Sequence, residues 1–182
     1  MISSTKIHLN LPNKEAYLEL IQPEHIDQLY QLLESNRKYL QKNIPGIDSL
    51  QTRDDLQRRW GTSKENSLHF GLWLNKNQLI GRCRLTRDVN TCSADIGYWI
   101  SESFQGKGLM TSAVEQLIKF AFEKWNIKRM EIHCGVNNLK SRAIPERLGF
   151  SNEGISQMYP SILLNGQMLE SIVYSKNNSI EK

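Results

Sequence analysis

The longest apolar pattern in the chain is helical and follows directly on a glycine-rich segment. Between Leu109 and Trp125 apolar residues recur at a spacing that fits the 3.6-residue helix period and no strand period. The preceding Asp95–Ile100 contains the β-branched and aromatic residues typical of a buried strand. Ser101–Gly108 joins the two. The pattern therefore predicts a strand, a glycine loop and an amphipathic helix in succession.

The glycine loop, which ends in Gln105-Gly106-Lys107-Gly108, has the composition of an anion site. Glycine lets the backbone approach a ligand closely, and the first turn of a helix presents N–H groups without helical partners. These donors and the helix dipole favour a phosphate or pyrophosphate, and Lys107 adds a positive charge. The alternative is a tight connection that binds nothing. The loop lacks G-x-x-x-x-G-K-[ST] and the third glycine of the dinucleotide fingerprint, so neither of those motifs is predicted.

The start of the chain predicts a strand pair followed by a helix. Ile7–Leu11 and Ala16–Ile21 are typical of short strands around a turn at Pro12-Asn13-Lys14. Pro23 lies where helices favour proline, at the first turn. The helical stripe that follows consists of Ile26, Leu29, Tyr30 and Leu33.

Two shorter helices and a loop are predicted next. Arg37–Lys42 is expected as a second short helix that ends before Pro45-Gly46. Thr52-Arg53-Asp54-Asp55 resembles a capping box, with Asp in place of Glu, and opens a helix through Trp60. Between them lies the loop Asn43–Gln51. We expect this first third of the chain to border a substrate site.

The middle of the chain predicts a hairpin. Leu68–Leu74 and Leu79–Thr86 read as strands joined by a short polar turn, and Asp95–Ile100 is expected as the next antiparallel strand. In the second strand Arg82 and Arg84 alternate with apolar residues. We therefore expect one solvated and one buried face there.

After the central helix the pattern returns to strands. Met130–Val136 is typical of a strand, and a short helix follows with Asn138 as its N-cap and Gly149 just past its end. Ser151–Tyr159 and Met168–Tyr174 are predicted as a closing strand pair. This order predicts a mixed α/β sheet in one domain.

Bulk composition indicates a globular chain with a mildly basic surface. The 182 residues are 39% hydrophobic and 23% charged, so we expect one domain over residues 1–176 and a polar tail at 177–182. The net charge of +4 favours anionic ligands. A small basic RNA-binding module is a poorer interpretation, because no concentrated Lys/Arg run with interleaved aromatics is present. No direct nucleic-acid partner is expected.

The sequence predicts neither a targeting segment nor a membrane span. Its N-terminus lacks the apolar region of a secretion signal, and no apolar run approaches membrane-spanning length. Cys83, Cys92 and Cys134 are odd in number and lack metal-ligand spacing, which suits reduced thiols. We therefore expect a cytoplasmic protein with no metal site and no membrane partner.

Four short motifs resemble the GNAT superfamily of acetyl-CoA-dependent N-acetyltransferases, and within it the RimJ/RimL-type branch. They are Ile96-Gly97-Tyr98-Trp99-Ile100, Gln105-Gly106-Lys107-Gly108, Asn138-x-x-Ser141 and Leu148-Gly149-Phe150. Each motif alone is common, but the four together, in this order and at this spacing, are a specific signal for the superfamily. Asn36–Leu40 and Asn165–Tyr174 also fit that branch, so the resemblance covers nearly the whole chain. It implies an α/β (α+β) GNAT fold, in which helices flank a mixed, mostly antiparallel sheet of about seven strands with splayed central strands.

The resemblance implies that acetyl-CoA binds at the glycine loop. The family's pyrophosphate motif, Q/R-x-x-G-x-G/A, has methionine here where a small residue is usual, and it falls on Gln105, Gly106, Lys107, Gly108, Leu109 and Met110. The strand Tyr98-Trp99-Ile100 is expected to splay from Met130–Val136 and leave a gap for the pantetheine arm. Asn138 and Ser141 would flank that arm. Lys140 and Arg142 are candidates for the adenosine 3′-phosphate, with a solvated helix surface as the alternative. No metal is implied.

Catalysis in such an enzyme needs a donor for negative charge and a base. The donor is expected to be a backbone N–H near Trp99 or Ile100. The base must take a proton from the ammonium, because only the neutral amine attacks. Asp95 lies where the superfamily often has a glutamate, and Glu102 and Glu170 are its rivals. A solvated carboxylate at the strand edge is the alternative for Asp95.

The residue expected to act as general acid differs from the one that many family members use. Many family members use a tyrosine at the position where this chain has Pro145, which cannot donate. Ser141 is expected to replace that tyrosine. The alternative is that Ser141 only bonds to the backbone at the helix start.

The resemblance favours direct acetyl transfer to a primary amine, above all the N-terminal α-amine of a ribosomal protein. A polyamine, an aminoglycoside or another small amine stays open, although Asn43–Gln51 offers no acidic cluster for a polycation. The rival from a different class is a nonenzymatic acyl-CoA-binding or regulatory protein of the same fold. A homodimer is expected from the family alone.

Overall fold

The protein is a mixed sheet with helices on both faces. The computed structural model describes residues 6–12, 14–61, 63–156, 161–164 and 167–178. The strands are β1 (Ile7–His8), β2 (Ala16–Leu20), β3 (Ser67–Leu74), β4 (Gln78–Asp88), β5 (Ser93–Ile100), β6 (Arg129–Gly135), β7 (Ser151–Ile155), β8 (Ser161–Leu164) and β9 (Gln167–Asn177). The sheet order is β1-β2-β3-β4-β5-β6-β9-β7, and β8 pairs with β9 off this path. The predicted mixed, mostly antiparallel sheet is confirmed.

The α-helices lie between β2 and β3, between β5 and β6, and between β6 and β7. They are α1 (Ile26–Leu40), α2 (Arg53–Trp60), α3 (Leu109–Trp125) and α4 (Leu139–Arg147). Within the described ranges, none of the helices combines the length and the apolar character needed to cross a membrane.

The centre of the sheet opens between β5 and β6. These strands run parallel and pair only at Ser93–Arg129, Ala94–Met130 and Asp95–Glu131. Beyond that point β5 pairs with β4 on one side alone, while β6 continues on β9. The predicted splay of the central strands is therefore confirmed, and it leaves one edge of the second half of β5 without a strand partner among the described residues.

Each face of the sheet has its own hydrophobic core. The core under α3 includes Phe70, Leu85, Ala113, Val114 and Leu117. The core on the opposite face, under α1 and α2, includes Leu29, Leu33, Leu56, Trp60 and Trp99. Burying one large apolar side chain stabilises a protein by about 1.5–3 kcal/mol. Because β5 contributes Ile96 to the first core and Trp99 to the second, its position is fixed from both faces.

The helix α1 is continuous to Leu40, so the prediction of a separate helix at Arg37–Lys42 is wrong. Asn36 lies at the expected break. Its side-chain amide donates to the carbonyl of Leu32 at 2.8 Å, within the same helix. This bond satisfies a polar side chain that otherwise favours turns, and the helix continues through it.

The prediction of a solvated face on β4 is only half correct. The Arg84 side chain is 42% exposed, but Arg82 is 6% exposed because Trp60 of α2 lies over it. The guanidinium carbon of Arg82 is 4.1 Å from the centroid of the Trp60 ring, and Nη2 contacts Nδ1 of His69. Burial lowers the pKa of Arg82 to about 9 and the pKa of His69 to about 3. Strand alternation alone cannot reveal such a covering helix.

Both ends of the chain differ from the expected boundaries. Only Ile7–His8 of the first predicted strand pairs with β2, and Asn13 of the predicted turn lies outside the described residues. Residues 157–159, within the predicted strand Ser151–Tyr159, also lie outside them. Asn177 was expected in the tail, but it is the last residue of β9 because it pairs with Arg129 of β6.

Candidate functional site

The N-terminus of α3 has no side-chain cap. Gly108 is the N-cap residue, and among the described residues no side chain hydrogen-bonds there. The N–H of Ser112 donates to the carbonyl of Gly108 at 3.0 Å. The N–H groups of the turn before Ser112 therefore have no partner within the helix. They and the positive end of the helix dipole remain available to an anion.

Gly106 and Gly108 give this turn its backbone shape. Their φ angles are 70° and 75°, in the left-handed region where other residues are strained. A Cβ on either glycine would meet no heavy atom of the described part of the chain within 4 Å, apart from its own neighbours. The glycines are therefore required by the turn and not by a crowded neighbour, and the backbone in front of them is accessible.

This helix end opens into a cavity of about 920 Å³. Such a volume lies in the range of small-molecule and cofactor sites. The cavity is lined by α1 and the segment after it, by β5 and the glycine loop, by the start of α3 and by α4. Its lining includes Tyr39, Leu40, Asn43, Ile44, Tyr98, Trp99, Ile100, Glu102, Gln105, Gly106, Lys107, Gly108, Leu109, Met110, Asn138, Lys140, Ser141 and Arg147.

A cluster of neutral donors lies where the open edge of β5 meets α4. Tyr98 Oη donates to the carbonyl of Ser141 at 2.9 Å, and Ser141 Oγ is 3.3 Å from both Tyr98 Oη and Cys134 Sγ. Burial raises the pKa of Tyr98 well above its ordinary value, and burial also raises the pKa of Cys134. Asn138 caps α4, because its Oδ1 accepts from the N–H of Ser141 at 3.2 Å. The cluster can therefore donate protons without carrying charge.

Polar side chains bridge the mouth of the cavity. Gln105 donates from Nε2 to Tyr39 Oη and accepts from Lys140 Nζ at 2.7 Å. Lys107 turns back on its own loop, where its Nζ donates to the carbonyl of Ser103 at 2.8 Å. Gln105 therefore connects α1, the glycine loop and α4 at the mouth of the cavity.

Comparison with known proteins identifies the family to which a chain with this cavity belongs. The family described as the acetyltransferase (GNAT) domain matches residues 16–151. The chain belongs to the GNAT acetyltransferase family. It is 32% identical over 172 residues to YdaF of Bacillus subtilis (strain 168), a candidate ribosomal N-acetyltransferase, covering 90% of this chain and 91% of YdaF. The predicted GNAT fold and N-acetyltransferase class are confirmed.

Two further comparisons agree with the family. The chain is 27% identical over 169 residues to the ribosomal-protein-serine acetyltransferase of Escherichia coli (strain K12), covering 85% of this chain and 93% of that protein. The solved microcin C7 self-immunity acetyltransferase MccE, in complex with acetyl-CoA and AMP, superposes with a TM-score of 0.80 at 26% identity. That match covers 98% of this chain and all of MccE (100%).

Asp95 of this GNAT enzyme lies where β5 and β6 part, next to Glu131 in the strand register. Its carboxylate contacts Nη2 of Arg84, and burial raises its pKa despite that cation. Asp95 is not among the cavity-lining residues, whereas Glu102 is. The backbone N–H of Glu102 donates to Oδ1 of the buried Asn36 at 2.9 Å. The base role of Asp95 stays a prediction, and the geometry favours its rival Glu102.

Two other candidates lie away from the cavity. Arg142 donates to Tyr174 Oη at 3.0 Å and to the carbonyl of Val136 at 2.8 Å, and it does not line the cavity. Glu170 is exposed and does not line it either. Arg147 does, although it lies on the same helix as Arg142, because five positions separate the two by about 140° around a helix.

The cavity-lining residues that sequence reasoning missed include two at the end of α1. Tyr39 and Leu40 line the cavity from the end of that helix, and Asn43 and Ile44 continue its wall. The sequence pointed to this wall only through the expectation that the first third of the chain borders a substrate site. The bridge between Tyr39 and Gln105 spans distant parts of the chain, so no local pattern could have revealed it.

Proposed function

We propose that this GNAT enzyme transfers acetyl from acetyl-CoA to the N-terminal α-amine of a protein, of the ribosomal-protein type. One observation carries the proposal: the uncapped N-terminus of α3 and the unpaired edge of β5 open into the same cavity. Both curated relatives described above have ribosomal acetylation in their names, which supports this class of acceptor.

The residues around the start of α3 fit coenzyme A. The backbone N–H groups of Gly106–Met110 would hold the diphosphate, and Lys107 would add positive charge beside it. The backbone of Tyr98–Ile100, on the open edge of β5, would bond to the amides of the pantetheine arm. Arg147 is a better candidate than Arg142 for the adenosine phosphate, because it lines the cavity. When bound, acetyl-CoA supplies an acetyl group activated as a thioester.

Proton transfer is proposed for two residues of the cavity. Ser141 would protonate the departing thiolate, and its hydroxyl is held by Tyr98 Oη at 3.3 Å. Glu102 would take the proton of the acceptor ammonium, directly or through one water. A backbone N–H near Trp99 or Ile100 would stabilise the negative charge that develops on the carbonyl oxygen.

The acceptor class is tested by thiol release from acetyl-CoA across matched acceptors. The panel holds peptides with ribosomal-protein N-termini, the same peptides with a blocked α-amine, a polyamine and an aminoglycoside. We expect turnover with the free α-amine peptides and none with the blocked ones. Turnover with small amines alone would overturn the acceptor class. Tight coenzyme A binding without any acceptor would favour the nonenzymatic acyl-CoA-binding alternative.

The base is tested by comparing Glu102→Gln with Asp95→Asn. General-base catalysis contributes about 100-fold or more to a rate, so we expect Glu102→Gln to lower kcat by about that factor. Asp95→Asn should change kcat less, because Asp95 does not line the cavity. If Asp95→Asn lowered kcat more than Glu102→Gln, Asp95 would be the base instead.

A further inference from the structure

The segment between α1 and α2 forms one wall of the cavity and is anchored in the core. Asn43 and Ile44 line the cavity, and the N–H of Ile44 donates to the carbonyl of Leu40 at 2.8 Å. Further along, Ile47 and Leu50 are 1% and 2% exposed. This wall is therefore a fixed surface, and under the proposed function it faces the acceptor.

Arg37, in the last turn of α1, holds this segment by its backbone. Its Nη1 donates to the carbonyl of Ile47 at 3.0 Å and its Nη2 donates to the carbonyl of Leu50. Nε donates to the carboxylate of Glu34 at 3.1 Å, which fixes the plane of the guanidinium. The Arg37 side chain is 17% exposed, so these bonds are largely sheltered from water. Lysine carries the same charge but cannot reproduce the planar fork of donors.

The neighbouring residue on α1 serves a different wall. Asn36 accepts from the backbone N–H of Glu102 at 2.9 Å, at the turn that leads into the glycine loop. Among the described residues, the hydrogen bonds of Arg37 do not reach that turn, and those of Asn36 do not reach the segment after α1. Two adjacent side chains therefore fix two separate walls of one cavity.

We infer that Arg37 is a positioning residue that sets the acceptor wall of the cavity without touching the acceptor. The inference rests on the proposed function. Loss of the two carbonyl bonds would release the backbone at Ile47 and Leu50, and with it the placement of Asn43 and Ile44. The start of α3 would stay in place, because Arg37 is not bonded to it.

A kinetic comparison of Arg37→Gln, Arg37→Lys and Lys38→Gln tests the inference. Losing hydrogen bonds from a charged donor costs about tenfold or more in an equilibrium, so both Arg37 variants should raise KM for the acceptor peptide about tenfold. Their KM for acetyl-CoA should stay within about twofold. Lys38 is exposed on the same helix, and Lys38→Gln should change neither value. An equal rise of both KM values in the Arg37 variants would overturn the inference.

Hydrogen exchange in the free enzyme gives a second readout that needs no acceptor. In Arg37→Gln the amides of residues 43–51 should exchange faster, while those of residues 101–108 keep their wild-type rates. Unchanged exchange over 43–51 would refute the positioning role, even where the acceptor KM has moved. If the wild type turned over no acceptor, the proposed function would fail, and the exchange result would still decide whether Arg37 holds this wall.

Discussion

Two helices of this protein begin in opposite ways. At the start of α2, Thr52 Oγ1 accepts from the N–H of Asp55 at 3.2 Å, and Asp55 Oδ2 accepts from the N–H of Thr52 at 2.9 Å. At the start of α3, Gly108 offers no side-chain acceptor. The N-terminus of α2 therefore satisfies its own donors, whereas the N-terminus of α3 leaves them to a ligand.

The difference shows where the protein gives up local stability for binding. The helix α2 has eight residues, and so short a helix depends on its caps. The helix α3 has 17 residues and a buried face that includes Ala113, Val114 and Leu117, so packing stabilises it without a cap. This packing leaves the N-terminus of α3 free to serve as an anion site.

The largest effect is expected when α3 receives a cap of its own. Gly108→Asp would place a carboxylate among the free N–H groups, where it would bond to them and repel a phosphate. We expect coenzyme A affinity to fall about 100-fold, or about 2.7 kcal/mol, in a calorimetric titration. Gly154→Asp is the matched control, because Gly154 also has a positive φ and open space in front of it.

Equal affinity in wild type and Gly108→Asp would mean that the diphosphate binds elsewhere. An equal loss in Gly154→Asp would mean that any added carboxylate has this effect.

A smaller effect is expected from reversing the charge next to that turn. Lys107→Glu should weaken coenzyme A binding about tenfold at low salt, and less at high salt because the charge is exposed and screened. Lys124→Glu, at the other end of α3, makes the same change in net charge and should leave affinity unchanged. Equal weakening in both variants would point to net charge instead of the loop.

Removing the cap of α2 should affect stability alone. Thr52→Ala deletes the acceptor for the N–H of Asp55, and the loss of such a cap costs about 1 kcal/mol in the free energy of unfolding. Urea unfolding would measure this change. Coenzyme A affinity should match the wild type. A parallel loss of affinity would contradict the claim that the start of α2 serves stability while the start of α3 serves binding.

The smallest effect is a pH dependence confined to α2. Hydrogen bonds from Thr52 lower the pKa of Asp55 below its ordinary value of 3.8. A carboxylate with a lowered folded pKa contributes stability above the unfolded pKa, and this contribution is lost as the pH falls through 3.8 towards the folded value. The stability difference between wild type and Asp55→Asn should therefore shrink below that pH. A constant difference would show that the Asp55 charge does not matter.

Local sequence signals are sufficient for both helix starts, because the capping box and the glycine turn each depend on residues within four positions of one another. The buried Arg82 could not be predicted, since the helix that covers it is remote in sequence. Choosing Arg147 over Arg142 depends on how α4 is rotated against α3, which packing sets. The acceptor wall held by Arg37 likewise depends on carbonyl positions that carry no side-chain pattern.

The amide spectrum of 15N-labelled protein during titration with coenzyme A tests the central claim most directly. We predict the largest shifts and the strongest protection from solvent exchange at the start of α3, at Gly106, Gly108, Leu109 and Met110. The amides of Thr52 and Asp55 should stay unchanged. Saturation with coenzyme A that leaves the amides at the start of α3 unmoved would contradict the claim that they hold the diphosphate.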